Sequence, residues 1–177
     1  MNPFRRFFRD KKSPSKRMDK TSQSLRLTVQ QSQLVVIDVQ ERLLPMIRDQ
    51  QNIAASIRFL MDAAVILGVS AIVTEQYPKG LGATVELLRN HSATIKTLEK
   101  LRFSAAEVLT TDDWAPDASA TQCPGGSPQQ IVLVGIETHV CVQQTALELC
   151  EKGLQVVVAA DCVGADSRTI INGDYVA

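Results

Sequence analysis

Histidine is almost absent from this chain. Its 177 residues hold two, His91 and His139, so a centre built on several imidazoles has almost nothing to draw on. Cysteine is scarce too: four residues are too few for a disulfide scaffold at this length. No apolar secretory segment opens the chain, and free thiols in a reducing compartment are expected. No run approaches the ~18 apolar residues that a membrane-spanning helix needs. Net charge is absent as well, 19 basic residues balancing 19 acidic ones. That disfavours a broadly basic nucleic-acid binder, and equally an acidic solvating tail. What is present is ordinary: 45% hydrophobic and 21% charged residues, in a length that suits one domain with a real core.

The zero balance hides an asymmetry. Residues 1–20 carry eight basic and two acidic side chains, so the remainder of the chain is net −6. Residues 1–29 read as a solvated, disordered extension, and 30–177 as the folded domain. Two alternatives stand beside that reading. Met18 is a second candidate start. Phe4, Phe7 and Phe8 would share one face of a basic amphipathic targeting helix, against which Asp10 and Pro14 count. A cytoplasmic location is expected, with organellar targeting left open.

Beyond the extension, apolar runs alternate with helix-period segments. Leu34–Ile37 reads as a strand buried on both faces. Ile53, Ile57, Leu60, Met61, Ala64 and Leu67 form one stripe of a helix over 50–67, which Gly68 should end. Strands are expected at 69–74, 93–98, 131–134 and 154–160, and short helices from Thr84 to Arg89 and from Ala105, with Ser104 as N-cap. A tight turn over 135–138 leads into a helix that ends at Gly153. Residues 112–129 form one long irregular loop. Strands alternating with helices predict a three-layer α/β/α sandwich around a doubly wound parallel sheet, ordered 3-2-1-4-5. In such a sheet, chemistry gathers at the carboxyl ends of the strands.

Three residues fall at those ends. Asp38 follows the first strand, Lys100 lies just past the third, and Cys141 sits in the first turn after the fourth. A buried carboxylate is costly unless paired or used. A thiol at a helix start near a cation gains thiolate character. Asp38 can take the thiol proton and return it to a leaving group, with Lys100 holding Asp38 in place. The backbone N–H groups of Val140 and Cys141, unpaired at the helix start, would receive an oxyanion. The three side-chain heads are expected within about 3–6 Å, the reach that proton transfer requires. Together they describe attack of sulfur on a carbonyl or similar carbon.

These residues sit in Asp38-Val-Gln40, Lys100-Leu-Arg-Phe103-Ser104 and Gly135-Ile-Glu-Thr-His-Val-Cys141-Val-Gln-Gln-Thr145. In that order the motifs resemble the isochorismatase-like cysteine hydrolase superfamily over about residues 30–170. The segment Thr74–Gly82 looks most like its isochorismatase domain-containing branch. The resemblance implies an Asp–Lys–Cys triad at Asp38, Lys100 and Cys141, and a cis peptide at Ile136–Glu137. Metal-dependent nicotinamidases of the superfamily carry histidines after the second strand. This chain has Glu75-Gln-Tyr-Pro-Lys79 there, so no metal or other cofactor is expected. Isochorismatases proper lack the cysteine, so its presence favours C–N over vinyl-ether cleavage. The resemblance implies a helix and a sixth strand past the fifth, and the sequence stops short of them, as a natural shortening, a frameshifted end or a truncation would each produce. Strand five would then be an open edge, apolar on both faces at Val156–Val158, that another copy of the chain or another segment should cover; a homo-oligomer is expected, or an unstable monomer if the chain is truncated.

Gln40, Tyr77 and Phe103, just beyond strand ends, are candidates for the substrate pocket, with packing under loops as the plain alternative for the aromatics. His139 diverges from Cys141 by about 200° on a helix, and so is no dyad partner. Cys123 reads as incidental, Cys150 as core, and Cys162 as lying after strand five. The expected activity is metal-independent hydrolysis of a small amide-like or related C–N substrate through a covalent thiol intermediate. The partners expected are that small molecule and further copies of the chain, with neither nucleic acid nor membrane. An isochorismatase-type hydrolase and a catalytically weakened structural or interaction protein are the alternatives.

Overall fold

The computed structural model describes residues 26–89, 95–109 and 128–166. The basic segment before Arg26, Cys123, His91 and most of the 112–129 loop lie outside them. Five strands form one parallel sheet in the order β3-β2-β1-β4-β5. They are β1 (Ser32–Ile37), β2 (Ser70–Gln76), β3 (Lys96–Lys100), β4 (Gln130–Ile136) and β5 (Gln155–Gly164). The helices are α1 (Gln50–Leu67), α2 (Pro78–Leu81), α3 (Glu86–Arg89) and α4 (Gln143–Glu151). No helix among the described residues is long and apolar enough to cross a membrane.

Alternation along the central strands divides the core in two, because successive side chains leave opposite faces of a strand. Leu34, Val36, Ala71, Val73 and Val134 pack under α1, against Ile53, Ile57 and Met61. Val35, Ile37, Ile72, Ile131 and Leu133 pack on the other face with Ala105, Ala106, Cys141 and Leu149. Every residue of β1 is buried, as its unbroken apolar run requires. Gly68 caps α1 and donates its N–H to the carbonyls of Ala64 and Val65.

Most boundaries differ from the sequence expectation in one direction. β2 runs on to Gln76, β3 to Lys100, and β4 from Gln130 to Ile136. The ladder continues through polar residues as long as a neighbouring strand offers partners, whereas apolar patterning stops at the last hydrophobe. Lys100 is therefore the last residue of β3 and pairs in register with Gln76. β5 extends to Gly164 through a register irregularity opposite Leu133–Gly135. Cys162 consequently belongs to the strand, buried in the core on the α1 side, and Cys150 is exposed rather than core. Thr84 does not open a helix, because Glu75 Oε1 accepts both its N–H and its hydroxyl, at 2.6 and 2.8 Å. Past Ser104, the described chain makes a single turn, with the Ala106 N–H donated to Ser104 Oγ at 3.2 Å.

Residues 26–29 are held to the domain. Gln130 Oε1 accepts the Thr28 N–H at 2.9 Å, and Gln130 Nε2 donates to the Arg26 carbonyl at 2.9 Å. Among the described residues, β5 pairs only with β4, and Val158 is 41% exposed.

Candidate active site

Three chain segments leave the carboxyl end of the sheet side by side, because β1 lies between β2 and β4. Asp38 directly follows β1 in a left-handed conformation, φ 52°, which turns the chain off the sheet. Its N–H donates to the Thr74 carbonyl at 3.1 Å. Its Oδ1 accepts the Thr74 hydroxyl at 2.7 Å. Lys100 reaches across from β3 to place Nζ 2.6 Å from Asp38 Oδ2, with both side chains fully buried. Gly135 lets β4 lie close against β1 on the other side. At φ +118°, it lies so near β1 that a Cβ would stand 2.1 Å from the Ile37 carbonyl oxygen.

The Ile136–Glu137 peptide is cis, and the chain then enters a wide π-turn over Thr138–Val142 before α4. That turn buries Cys141 within reach of Asp38, and their interaction shapes both ionisations. Burial raises the Asp38 carboxyl above its usual value; Lys100, then Thr74 and Cys141, act in the opposite direction. The Cys141 thiol is pushed up to about 12 by burial and by the negative charge of Asp38, against the weaker pull of Lys100. This corrects the expectation of a stabilised thiolate. The cation at the site is already spent on Asp38, so the resting cysteine is a thiol with a buried carboxylate beside it. The Val140 N–H is not unpaired either, since it donates to the Glu137 carbonyl at 3.1 Å.

The remaining sequence candidates divide. Gln40 is fully buried and spent on backbone: Nε2 donates to the Gln76 and Gly82 carbonyls at 3.0 and 2.6 Å, and Oε1 accepts the Gln76 N–H at 2.8 Å. It clamps loops together and presents nothing to a pocket. Tyr77 is half exposed and lines a cavity of about 370 Å³ together with Lys79, Glu99, Lys100, Arg102 and Ser104. Phe103 is also half exposed, and it is its carbonyl that meets the site, accepting from Lys100 Nζ at 2.8 Å. His139 turns to Glu137, 3.7 Å away. Among the described residues, no three His, Cys, Asp or Glu side chains converge as a metal site requires.

Sequence reasoning missed Thr74, Gln76 and the role of Thr145. Thr145 Oγ1 donates to the Cys141 carbonyl at 2.6 Å and accepts the Ala105 N–H at 2.9 Å. It ties the cysteine turn to the segment after β3. No sequence signal pointed to the first two: only the observed extension of β2 to Gln76 puts Thr74 and Gln76 on one face, which is also the face of Lys100.

An α/β sandwich with an acid, a lysine and a cysteine at the carboxyl rim of its sheet defines a class, and the comparisons name the family. The isochorismatase domain model matches residues 32–169, and the chain belongs to the isochorismatase family. It is 36% identical over 144 residues to isochorismatase domain-containing protein 2 of Danio rerio, covering 81% of this chain and 68% of that protein. It is 38% identical over 130 residues to isochorismatase domain-containing protein 1 of Salmo salar, covering 73% and 43%. Among solved structures, the MAR1 ribonuclease of Caenorhabditis elegans is 39% identical with a TM-score of 0.71, covering 81% of this chain and 70% of that one. The chain thus spans from under half to about two thirds of these relatives' length. This kinship supports an isochorismatase-family hydrolase.

Proposed function

We propose that the protein is a metal-independent cysteine hydrolase that cleaves a small amide-like or related C–N bond through a thioester or equivalent acyl-sulfur intermediate. The observation that carries this reading is the buried Lys100–Asp38 ion pair at 2.6 Å with the buried Cys141 side chain beside the same Asp38. Asp38, as carboxylate, takes the proton from Cys141 as sulfur bonds to the substrate carbonyl. Collapse of the tetrahedral species breaks the C–N bond, and Asp38 returns the proton to the leaving nitrogen. Water then attacks the acyl-sulfur bond, giving its proton to Asp38, and the thiol is restored when Asp38 passes that proton to the departing sulfur. Lys100 keeps its charge throughout and stabilises Asp38 as the anion. The Cys141 N–H receives the oxyanion. Val140 contributes only if its bond to Glu137 is given up. Tyr77 stands at the rim where a small substrate enters, and Phe103 stands beside Lys100.

The C. elegans neighbour is named a ribonuclease. For this chain the small-molecule reading is favoured, because the buried Lys100 ammonium is taken up by Asp38, Gln76 and two backbone carbonyls, which leaves a phosphate only Lys79 and Arg102 of the adjoining cavity. A panel of small amides, carbamoyl compounds and an RNA oligonucleotide tests both. Turnover of an amide or carbamoyl compound that falls at least a hundredfold in Cys141→Ala, with the fold intact, is expected. Cleavage of RNA alone, or retention of more than about one per cent of activity in Cys141→Ala, would overturn the reading.

A further inference from the structure

The Lys100 ammonium has three N–H bonds and four acceptors around it. Asp38 Oδ2 lies at 2.6 Å, Phe103 O at 2.8 Å, Gln76 Oε1 at 2.9 Å and Arg102 O at 3.2 Å. Gln76 is the only side chain among them besides Asp38, and it is neutral. It is also fixed from several directions. Its N–H donates to Gln40 Oε1 at 2.8 Å, its carbonyl accepts from Gln40 Nε2 at 3.0 Å, and its own Nε2 donates to the Leu101 carbonyl at 2.7 Å. Turning the amide over would face its NH₂ toward the ammonium and its oxygen toward a carbonyl, so one orientation is selected. The fully buried Gln40 anchors the Gln76 backbone, and the ammonium is thereby held by a second, neutral side chain.

We infer that Gln76 is a positioning residue, whose amide oxygen fixes the Lys100 ammonium against Asp38 and so sets the basicity of the carboxylate that takes the Cys141 proton. The inference rests on the thiol mechanism above. A neutral acceptor at this place steadies Lys100 without diluting its charge, and among the described residues Asp38 remains its sole anionic partner. A carboxylate in the same place would share the ammonium and set a second negative charge near Asp38, favouring the protonated acid. The other polar groups facing Asp38 are the Thr74 hydroxyl and the Cys141 thiol. Around Lys100, Arg102 turns to Glu107 at 3.1 Å and Glu148 at 3.9 Å. Lys79 and Glu99 line the adjoining cavity. Glu75 is engaged by Thr84, and His139 faces Glu137. These groups are common to all the variants compared.

The test is the rate at which iodoacetamide alkylates Cys141, followed by peptide mass mapping from pH 4 to 9 so that Cys150 is counted separately. The full chain, Asp38→Asn, Gln76→Glu and Gln76→Met are compared. The full chain is expected to show an acid limb that Asp38→Asn abolishes. Gln76→Glu should move that limb up by about one pH unit. Gln76→Met, which keeps the bulk and removes the acceptor, should lower the plateau rate at least threefold, and it decides the matter alone if Gln76→Glu does not fold. An unmoved limb in folded Gln76→Glu, or an unchanged plateau in Gln76→Met with only a lower melting temperature, assigns Gln76 a structural role and overturns the inference while the mechanism stands. A full chain without the limb, or an Asp38→Asn variant that keeps it, overturns the mechanism and the inference together.

Discussion

At the scale of single residues, the site depends on where a buried charge is allowed to rest. Asp38 and Lys100 have left water together, which is tolerable because the ion pair is short, Thr74 donates to Asp38 Oδ1, and Gln76 and two carbonyls accept from Lys100, while Asp38 Oδ2 relies on the ammonium charge alone. Removing either partner strands the other, so Lys100→Met should destabilise the chain by about 3 kcal/mol or more in urea denaturation. Cys141 has the opposite problem. Its pKa rises from 9.0 to about 12, so between those values the folded chain keeps a proton that the unfolded chain has released. The stability this proton contributes is complete below pH 9 and is lost as the pH rises toward 12. Cys162, raised to about 11 by burial and Asp161, acts in the same direction on the other face of the sheet. Chemical denaturation at pH 8 and pH 10.5 should therefore show a fall that is smaller in Cys141→Ser. An equal fall in that variant would contradict the assignment. Because burial also raises Asp38, the acid limb of kcat/KM should lie above the ordinary carboxylate range.

At the scale of elements, the strand ends position the chemistry, and β4 is the critical one. Gly135 lets β4 lie against β1: a side chain there meets the Ile37 carbonyl at 2.1 Å and its nitrogen at 2.6 Å. Gly153 also has a positive φ, +86°, but nothing lies within 4 Å of a Cβ there. Gly135→Ala should cost about 3 kcal/mol or more in denaturant titrations, and Gly153→Ala about 1 kcal/mol. Equal costs would show that backbone conformation alone, and not the approach of β4 to β1, makes Gly135 necessary. The elements were legible wherever one face of the chain is apolar. The α1 boundaries follow from the Ile53–Leu67 stripe, and β1 and β4 from unbroken apolar runs. The polar ends of β2 and β3 were not legible, because Glu75, Gln76, Glu99 and Lys100 belong to the ladder through backbone pairing that hydropathy does not record. For the same reason Asp38, Lys100 and Cys141 were visible as residues at strand ends, while the Gln76–Lys100 contact was not. Gln40 shows the converse. Its position beyond a strand suggested a pocket, yet nothing in the sequence tells that its amide closes on the Gln76 and Gly82 carbonyls.

At the scale of the whole molecule, one rim of one sheet gathers the chemistry, and the outer strands frame it. Val156–Val158 of β5 are only partly covered among the described residues. An apolar strand paired on one side recruits another segment or another copy of the chain; where no further segment pairs with β5, sedimentation is expected to show a homo-oligomer, and a stable monomer with β5 bare would contradict the expectation. Activity should survive exhaustive chelation, since the end of β2 offers Glu75 to Thr84 and Gln76 to Lys100, and residues 77–82 that follow hold no histidine. Stoichiometric zinc or iron with loss of activity on its removal would refute this. The central claim is that sulfur of Cys141 bonds to substrate after giving its proton to Asp38. It is tested most directly by mass mapping of the chain during turnover of an activated carbamoyl or acyl donor such as an aryl carbamate. The account predicts an acyl group on Cys141 that accumulates in the full chain and does not form in Asp38→Asn. Turnover with Cys141 unmodified, or an adduct on Cys141 that forms equally well in Asp38→Asn, would contradict it.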